Sequence, residues 1–280
     1  MSEVGQDGSV LAFSTWILRD CGERRGSARY CLFPMTENTI WLPPASGLQL
    51  GSDEVHIWRT SLDVDPTVRE RLSAVLSTAE QERVASFAFA RDRNRYTVAR
   101  ALLRQLLGGY LGEPPQNVVL GTLPHGKPII VATARIPSLR FNLSHSHEFA
   151  LCAFCLGHEL GIDIEKIKPQ VAFEGIESRY FSSKERAELE TLPQDLRPEG
   201  FFLCWTRKEA YVKARGEGLK VPLESFSVSL TPGKPAVLQS TDEERWSLYS
   251  IDPTAGFVGA LAAEGRGHRL QFWEWSESNC

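Results

Sequence analysis

The sequence predicts an α+β protein made of two pseudo-symmetric halves in one chain, with an active site in the cleft between them. Three observations carry the prediction. Gly126-Lys127-Pro128 recurs 107 residues on as Gly233-Lys234-Pro235, and Arg100 and Gly109 recur at the same spacing as Arg207 and Gly216. Ser77-x-x-Glu80 recurs 105 residues on as Ser182-x-x-Glu185, and FNLSHSHEFALCAF (141–154) is loosely echoed by WSLYSIDPTAGFVGALAA (246–263). Finally, each half alternates strand-like and helix-like patterns in the same order. One tripeptide match means nothing, but several in order at nearly constant offset mark a duplicated unit.

Residues 1–53 form an irregular N-terminal extension. Its apolar patch, SVLAFSTWIL, is short and interrupted, with acidic residues nearby, and makes a poor signal peptide. The N-terminal half, 54–158, opens with an alternating strand, EVHIWRTSL. A helix follows, with Ser77 and Glu80 in capping-box spacing, and then a longer amphipathic helix, RNRYTVARALLRQLLGGYLG, which ends near glycines. Short strands carrying Gly126-Lys127-Pro128 and a later apolar segment complete it. The C-terminal half, 159–280, repeats the order: the strand LGIDIEKI, a helix capped from Ser182 and Glu185, the long helix GFFLCWTRKEAYVKARGEGL, then short strands with the second Gly-Lys-Pro.

Composition excludes several functional classes. The chain has 280 residues, 42% hydrophobic and 24% charged, enough to bury sizeable cores. A net charge of −4 and a pI of about 5.9 argue against nonspecific binding to nucleic acid. No apolar run reaches the length of a membrane span. Six cysteines (21, 31, 152, 155, 204 and 280) follow no framework spacing, so a reducing, cytoplasmic compartment is expected. Cys152 and Cys155 lie in the apolar run FALCAFCL and read as small buried hydrophobes.

Within LGIDIE (160–165), strand alternation puts Leu160, Ile162 and Ile164 on a core face and Gly161, Asp163 and Glu165 on the other. Carboxylates two residues apart on one face lie roughly 6–7 Å apart and repel unless a cation lies between them. On its own the pair fits a solvated strand face. The aligned strand of the first half carries His56, Trp58 and Thr60 instead, so only one copy keeps the acids, and that asymmetry points to a single functional site. In WTRKEAYVKARGEGL, Trp205, Glu209 and Lys213 share one helix face, with Lys208 one step round. A Glu–Lys pair at this spacing often does no more than support a helix. Joined to Asp163 and Glu165, it could hold a hard divalent cation together with a phosphate. The first half offers anion-binding groups: Arg91, Arg93 and Arg95, then Arg100 and Arg104, with Lys127 at a turn and Ser144 and His145 at a strand end. A basic wall facing an acidic, metal-binding wall suits a ligand with several phosphates.

HGKP, FNLSHS, GIDIE, FSSKE and WTRKEAYVKARGEGL, in that order, resemble the motif set of the 4′-phosphopantetheinyl transferases, of the longer, two-halved Sfp type. The resemblance runs from about residue 55 to about residue 230. It implies the transferase fold and, because the duplicated chain makes its interface internally, a monomer. The implied reaction moves the phosphopantetheine arm of coenzyme A onto a serine of an apo acyl or peptidyl carrier protein, releasing adenosine 3′,5′-bisphosphate. By the same resemblance Asp163, Glu165 and Glu209 would ligate Mg²⁺, and Glu209 or a metal-polarised water would accept the serine proton. Lys213 would stabilise the leaving group, and Arg95, Lys127, Ser144 and His145 would contact nucleotide phosphates. Two competing assignments are a noncatalytic carrier-binding module of the same fold and a generic Mg²⁺-dependent phosphohydrolase using the Asp-x-Glu pair.

Overall fold

The computed structural model describes residues 39–44, 48–123, 126–131, 138–169 and 175–276. Most of the N-terminal extension, together with Cys21, Cys31, His125 and Cys280, lies outside them. The first half runs β1 (Glu54–Ser61), α1 (Pro66–Ser73), α2 (Thr78–Ser86), α3 (Ala90–Leu111), β2 (Leu120–Thr122), β3 (Pro128–Ile130), β4 (Leu139–Ser146) and β5 (Phe149–Leu156). The second runs β6 (Leu160–Lys166), α4 (Ile176–Tyr180), α5 (Ser183–Thr191), α6 (Arg197–Arg215), β7 (Ser227–Val228), β8 (Leu238–Gln239), β9 (Trp246–Ile251), β10 (Phe257–Glu264) and β11 (Arg269–Glu274).

The repeated signals produce the same local structure twice. Ser77 and Glu80 form a reciprocal capping box at the start of α2, as Ser182 and Glu185 do at α5. The long helices α3 and α6 stop at Gly112 and Gly216, whose φ values of 65° and 69° place them in the left-handed region that favours glycine. Gly126 and Gly233 also have positive φ, at the β2–β3 and β7–β8 hairpins.

The strands form two antiparallel sets with matching order, β1–β5–β4 and β6–β10–β9. Each packs one face on its long helix. Leu102, Leu107 and Phe154 sit in the first helix–sheet core, and Phe202, Tyr211 and Ala260 in the second. A third core, including Ile57, Leu151, Ile162 and Leu261, is built from both sheets. Cys152, Cys155 and Cys204 are buried free thiols. Among the described residues no helix is long and apolar enough to cross a membrane.

Two features depart from a plain duplication. First, β11 lies within the 159–280 segment yet pairs in parallel with β1, from Glu54↔Arg269 to Arg59↔Glu274, so the last described strand completes the first half's sheet. Its other side takes a short stretch of the extension, where the Leu42 N–H donates to Phe272 O and the Glu274 N–H to Leu42 O. Second, β4 and β6 run side by side but are joined through side chains. Asn142 Oδ1 accepts the Ile162 N–H at 2.8 Å, and Ser146 Oγ accepts the Lys166 N–H at 3.2 Å. This seam, one side chain wider than a backbone ladder, is one of the places where the halves meet.

Candidate active site

Gly161 lets the site form. A Cβ there would lie 2.2 Å from Ala210 O and 2.3 Å from Ala214 N, so α6 rests its backbone directly on β6. That seating carries Glu209 and Lys213, one turn apart on α6, onto the face of β6 that bears Asp163 and Glu165. The solvated-face alternative for Asp-x-Glu is therefore corrected: Asp163 is 0% and Glu165 2% exposed, because α6 covers that face and the sheet-to-sheet core covers the other.

Burying carboxylates is costly unless each is paired. Lys213 Nζ donates to Asp163 Oδ1 at 2.6 Å, to Ser144 Oγ at 2.9 Å and to Ile162 O at 3.4 Å. Ser144 Oγ in turn donates to Asp163 Oδ1 at 2.7 Å, and Ser146 Oγ to Glu165 Oε2 at 2.7 Å. The remaining oxygens, Asp163 Oδ2 and Glu165 Oε1, are buried with no hydrogen-bond partner. Two bare carboxylate oxygens from one strand are donors for a hard, oxygen-seeking cation, and the orphaned atoms fit that role. Among the described residues no three His, Cys, Asp or Glu side chains enclose a metal by themselves. A cation of the Mg²⁺ type tolerates this, since it completes its octahedron with water and substrate phosphate oxygens.

The electrostatics follow from burial. Burial pushes the Glu209 carboxyl up to about 7; Asp163 adds to the rise and Lys213 opposes it. Burial, and then the charge of Asp163, raises Glu165 well above the usual carboxylate range. Burial, and then the positive charges of Lys213 and Arg95, lowers His145 to about 4. His147 is likewise lowered to about 4, by burial and then Lys168.

The structure brings Ser144, Asp163, Glu165, Glu209 and Lys213 together, with His145 near enough to feel Lys213. Lys127 and Arg95 hold other partners. Lys127 Nζ donates to Glu159 Oε2 at 2.9 Å and to Leu160 O at 3.2 Å, at the start of β6. Arg95 makes a two-pronged pair with Asp63, with Nε to Oδ1 at 2.8 Å and Nη2 to Oδ2 at 2.7 Å. Lys213, Lys127 and Arg95 thus each have a carboxylate partner of their own, while Arg100 and Arg104, which the sequence offered as anion-binding groups, both pair with the buried Glu80. Lys208 is structural: its Nζ is fully buried, 2.8 Å from Glu185 Oε2, and donates to Leu223 O and Phe226 O.

The matching place in the first half is closed. At the offset linking Arg100 to Arg207, Glu209 and Lys213 correspond to the buried Leu102 and Leu106. His56 and Trp58 both bond the Tyr110 hydroxyl, at 2.8 and 2.9 Å. Sequence reasoning placed Gly161 on the carboxylate face but missed its role as the seat of α6, and it missed the contacts of Asn142, Ser146 and Glu159. The polar alternation Asn142-x-Ser144-x-Ser146 on a strand with apolar neighbours was the available signal for the seam.

A family model described as 4′-phosphopantetheinyl transferase, N-terminal, matches residues 65–156, and a model of the 4′-phosphopantetheinyl transferase superfamily matches residues 159–262. The chain is similar to the 4′-phosphopantetheinyl transferase HetI of a Nostoc species, 40% identical over 235 residues that cover 84% of this chain and 98% of that protein. It is also similar to the 4′-phosphopantetheinyl transferase Sfp of Bacillus subtilis, 31% identical over 69% of this chain and 84% of that one. A holo-(acyl-carrier-protein) synthase from Bacillus anthracis, solved in complex with CoA (3′,5′-ADP), is a remoter likeness: 22% identity, TM-score 0.31, covering 38% of this chain and 94% of that chain. With both halves matched and a relative aligned over nearly its whole length, the chain belongs to the 4′-phosphopantetheinyl transferase superfamily and is an enzyme of that class.

Proposed function

We propose that this enzyme transfers the 4′-phosphopantetheine arm of coenzyme A to a serine of an apo acyl or peptidyl carrier protein, with Mg²⁺, releasing adenosine 3′,5′-bisphosphate. The observation that carries it is the pair of bare, buried oxygens on Asp163 and Glu165 beside Glu209 and Lys213. Asp163 and Glu165 would offer the metal their bare oxygens, with Glu209 joining as a third ligand when the cation is bound, and the metal would supply neutralisation of charge on the coenzyme A pyrophosphate. The carrier serine oxygen bonds to the pantetheine-side phosphorus, and the bridging P–O bond to the nucleotide breaks. Such transfers depend on positioning and charge neutralisation. Glu209, or a water polarised by the metal, would accept the serine proton. Lys213 stabilises the bisphosphate as it leaves. To do so it gives up one of its three internal contacts, since an ammonium has only three protons. Ser144, His145, Lys127 and Arg95 form the nucleotide-binding wall, and substrate phosphates exchange with Glu159 and Asp63 for the last two. The seam lies within one chain, which supports action as a monomer. The three buried free thiols fit a reducing cytoplasm.

Intact mass spectrometry tests the reading directly. An apo carrier protein incubated with the enzyme, coenzyme A and Mg²⁺ is expected to gain about 340 Da, the mass of the added arm, and no mass when EDTA is present. A folded enzyme that binds acyl and peptidyl carriers without any mass gain would favour the noncatalytic module.

The carboxylates also give a pH signature. A raised carboxyl pKa favours the protonated folded state, so Glu209 lends stability at low pH that is lost as pH rises through about 7, and Glu165 acts in the same sense. His145 and His147, held neutral, work oppositely: their contribution is lost as pH falls from about 6.5 towards 4. Metal binding requires ionised carboxylates. The rise in melting temperature produced by Mg²⁺ is therefore expected to grow between about pH 6 and pH 8. A metal-induced rise that is equal at both ends of that range would contradict the assignment of Glu209 and Glu165 as ligands.

A further inference from the structure

We infer that Ser146 is a positioning residue for the metal site, acting with Ser144 to expose one oxygen of each β6 carboxylate. The inference rests on the metal assignment above and extends it to a residue on the opposite half of the chain.

The two serines repeat one arrangement. Ser144 Oγ donates to one oxygen of Asp163 at 2.7 Å, and the other oxygen, Oδ2, is buried without a partner. Two residues along the same strand, Ser146 Oγ donates to one oxygen of Glu165 at 2.7 Å, and the other oxygen, Oε1, is again buried without a partner. In both pairs the serine lies 19 residues before its carboxylate, as the parallel course of β4 and β6 requires.

Ser146 is fixed for this task by its other contacts. Its Oγ accepts the Lys166 N–H at 3.2 Å and lies 3.2 Å from His147 Nδ1, which can donate to it. A serine hydroxyl has two lone pairs and one proton. With the Lys166 N–H on one lone pair and, in the Nδ1–H tautomer of His147, the ring on the other, the single proton is left for Glu165 Oε2. Glu165 has more rotatable bonds than Asp163 and no lysine bonded to it. Without Ser146, the Glu165 carboxylate would be free to turn its bare oxygen away from the cation, at a cost in metal affinity of the size seen when groups supporting metal ligands are removed.

Asn142 supplies the control. It belongs to the same seam and bonds a β6 backbone N–H, but no described contact joins it to a carboxylate. Loss of Asn142 therefore weakens the seam alone, whereas loss of Ser146 weakens the seam and frees Glu165.

The test is Mn²⁺ binding to the full-length enzyme in the presence of coenzyme A, followed by electron paramagnetic resonance, with the melting temperature of the metal-free protein measured alongside. Ser146→Ala is expected to weaken Mn²⁺ binding by about tenfold or more, and Ser146→Thr, which keeps the hydroxyl, to restore it. Asn142→Ala is expected to lower the melting temperature while leaving Mn²⁺ affinity within about twofold of wild type. If Ser146→Ala does not fold, Ser146→Cys carries the test, since it keeps the shape and offers only a weak donor. Ser146→Ala or Ser146→Cys binding Mn²⁺ as tightly as wild type would overturn the inference. Absence of Mn²⁺ binding by the wild type would instead overturn the metal assignment beneath it.

Discussion

Replacing Asp163 by Asn is expected to lower kcat/KM for phosphopantetheinyl transfer by about a thousandfold or more. The substitution keeps the shape and one oxygen acceptor, but it replaces a bare oxygen with an amide and removes the charge that Lys213 faces at 2.6 Å. Stability falls too, because deleting one partner of a buried pair leaves the other uncompensated, typically at about 3–5 kcal/mol. The two losses can be separated. In the Asp163→Asn, Lys213→Met double variant the orphaned ammonium is gone, so most of the stability should return while transfer stays absent. Urea unfolding and the mass assay, run on both variants, check this. An Asp163→Asn enzyme retaining more than about a tenth of wild-type activity would remove Asp163 from the reaction.

Gly161→Ala should have a comparable effect through the scaffold. The new Cβ meets the backbone of α6 at 2.2 and 2.3 Å, and backbone has no rotamer by which to yield. The helix must lift from β6, breaking its close packing and separating Glu209 and Lys213 from Asp163 and Glu165. Overpacking of this kind costs about 1–3 kcal/mol or more, which corresponds to a fall in melting temperature of several degrees. Activity should fall further than stability alone explains, because the displaced groups sit on the moving helix and small misplacements are expensive in catalysis. An unchanged melting temperature for Gly161→Ala would show that α6 has room that the geometry denies.

Much of this was legible in the sequence because its signals are local. A serine three residues before a glutamate specifies a helix start, and a glycine after an amphipathic run specifies its end, so both capping boxes and both long helices were readable. Asp163, Glu209 and Lys213 stood out because strand and helix periodicities fix which residues share a face. What the periodicity could not show is what covers that face. Alternation of polar and apolar residues normally means a half-exposed strand, whereas here α6 covers the polar face, and Ser144, Ser146 and Lys213, from distant segments, supply the hydrogen bonds of the buried carboxylates. The partners of Lys127 and Arg95 are hidden for the same reason: Glu159 and Asp63 lie 32 residues from them. Parallel pairing of β1 with β11 leaves no local mark at all, since no turn joins the two strands.

That last pairing has a consequence for how the protein is made. A ribosome releases β1 early, and β5 can pair with it once the first half has emerged. The other edge of β1 stays open until residues 269–274 are synthesised, about 215 residues later. During that interval the nascent chain exposes an unpaired strand edge, the kind of surface through which incomplete chains associate. The first half is thus older in the order of synthesis but is the last to be closed, and a messenger truncated just before codon 269 would yield a chain with every catalytic side chain present and a permanently open edge.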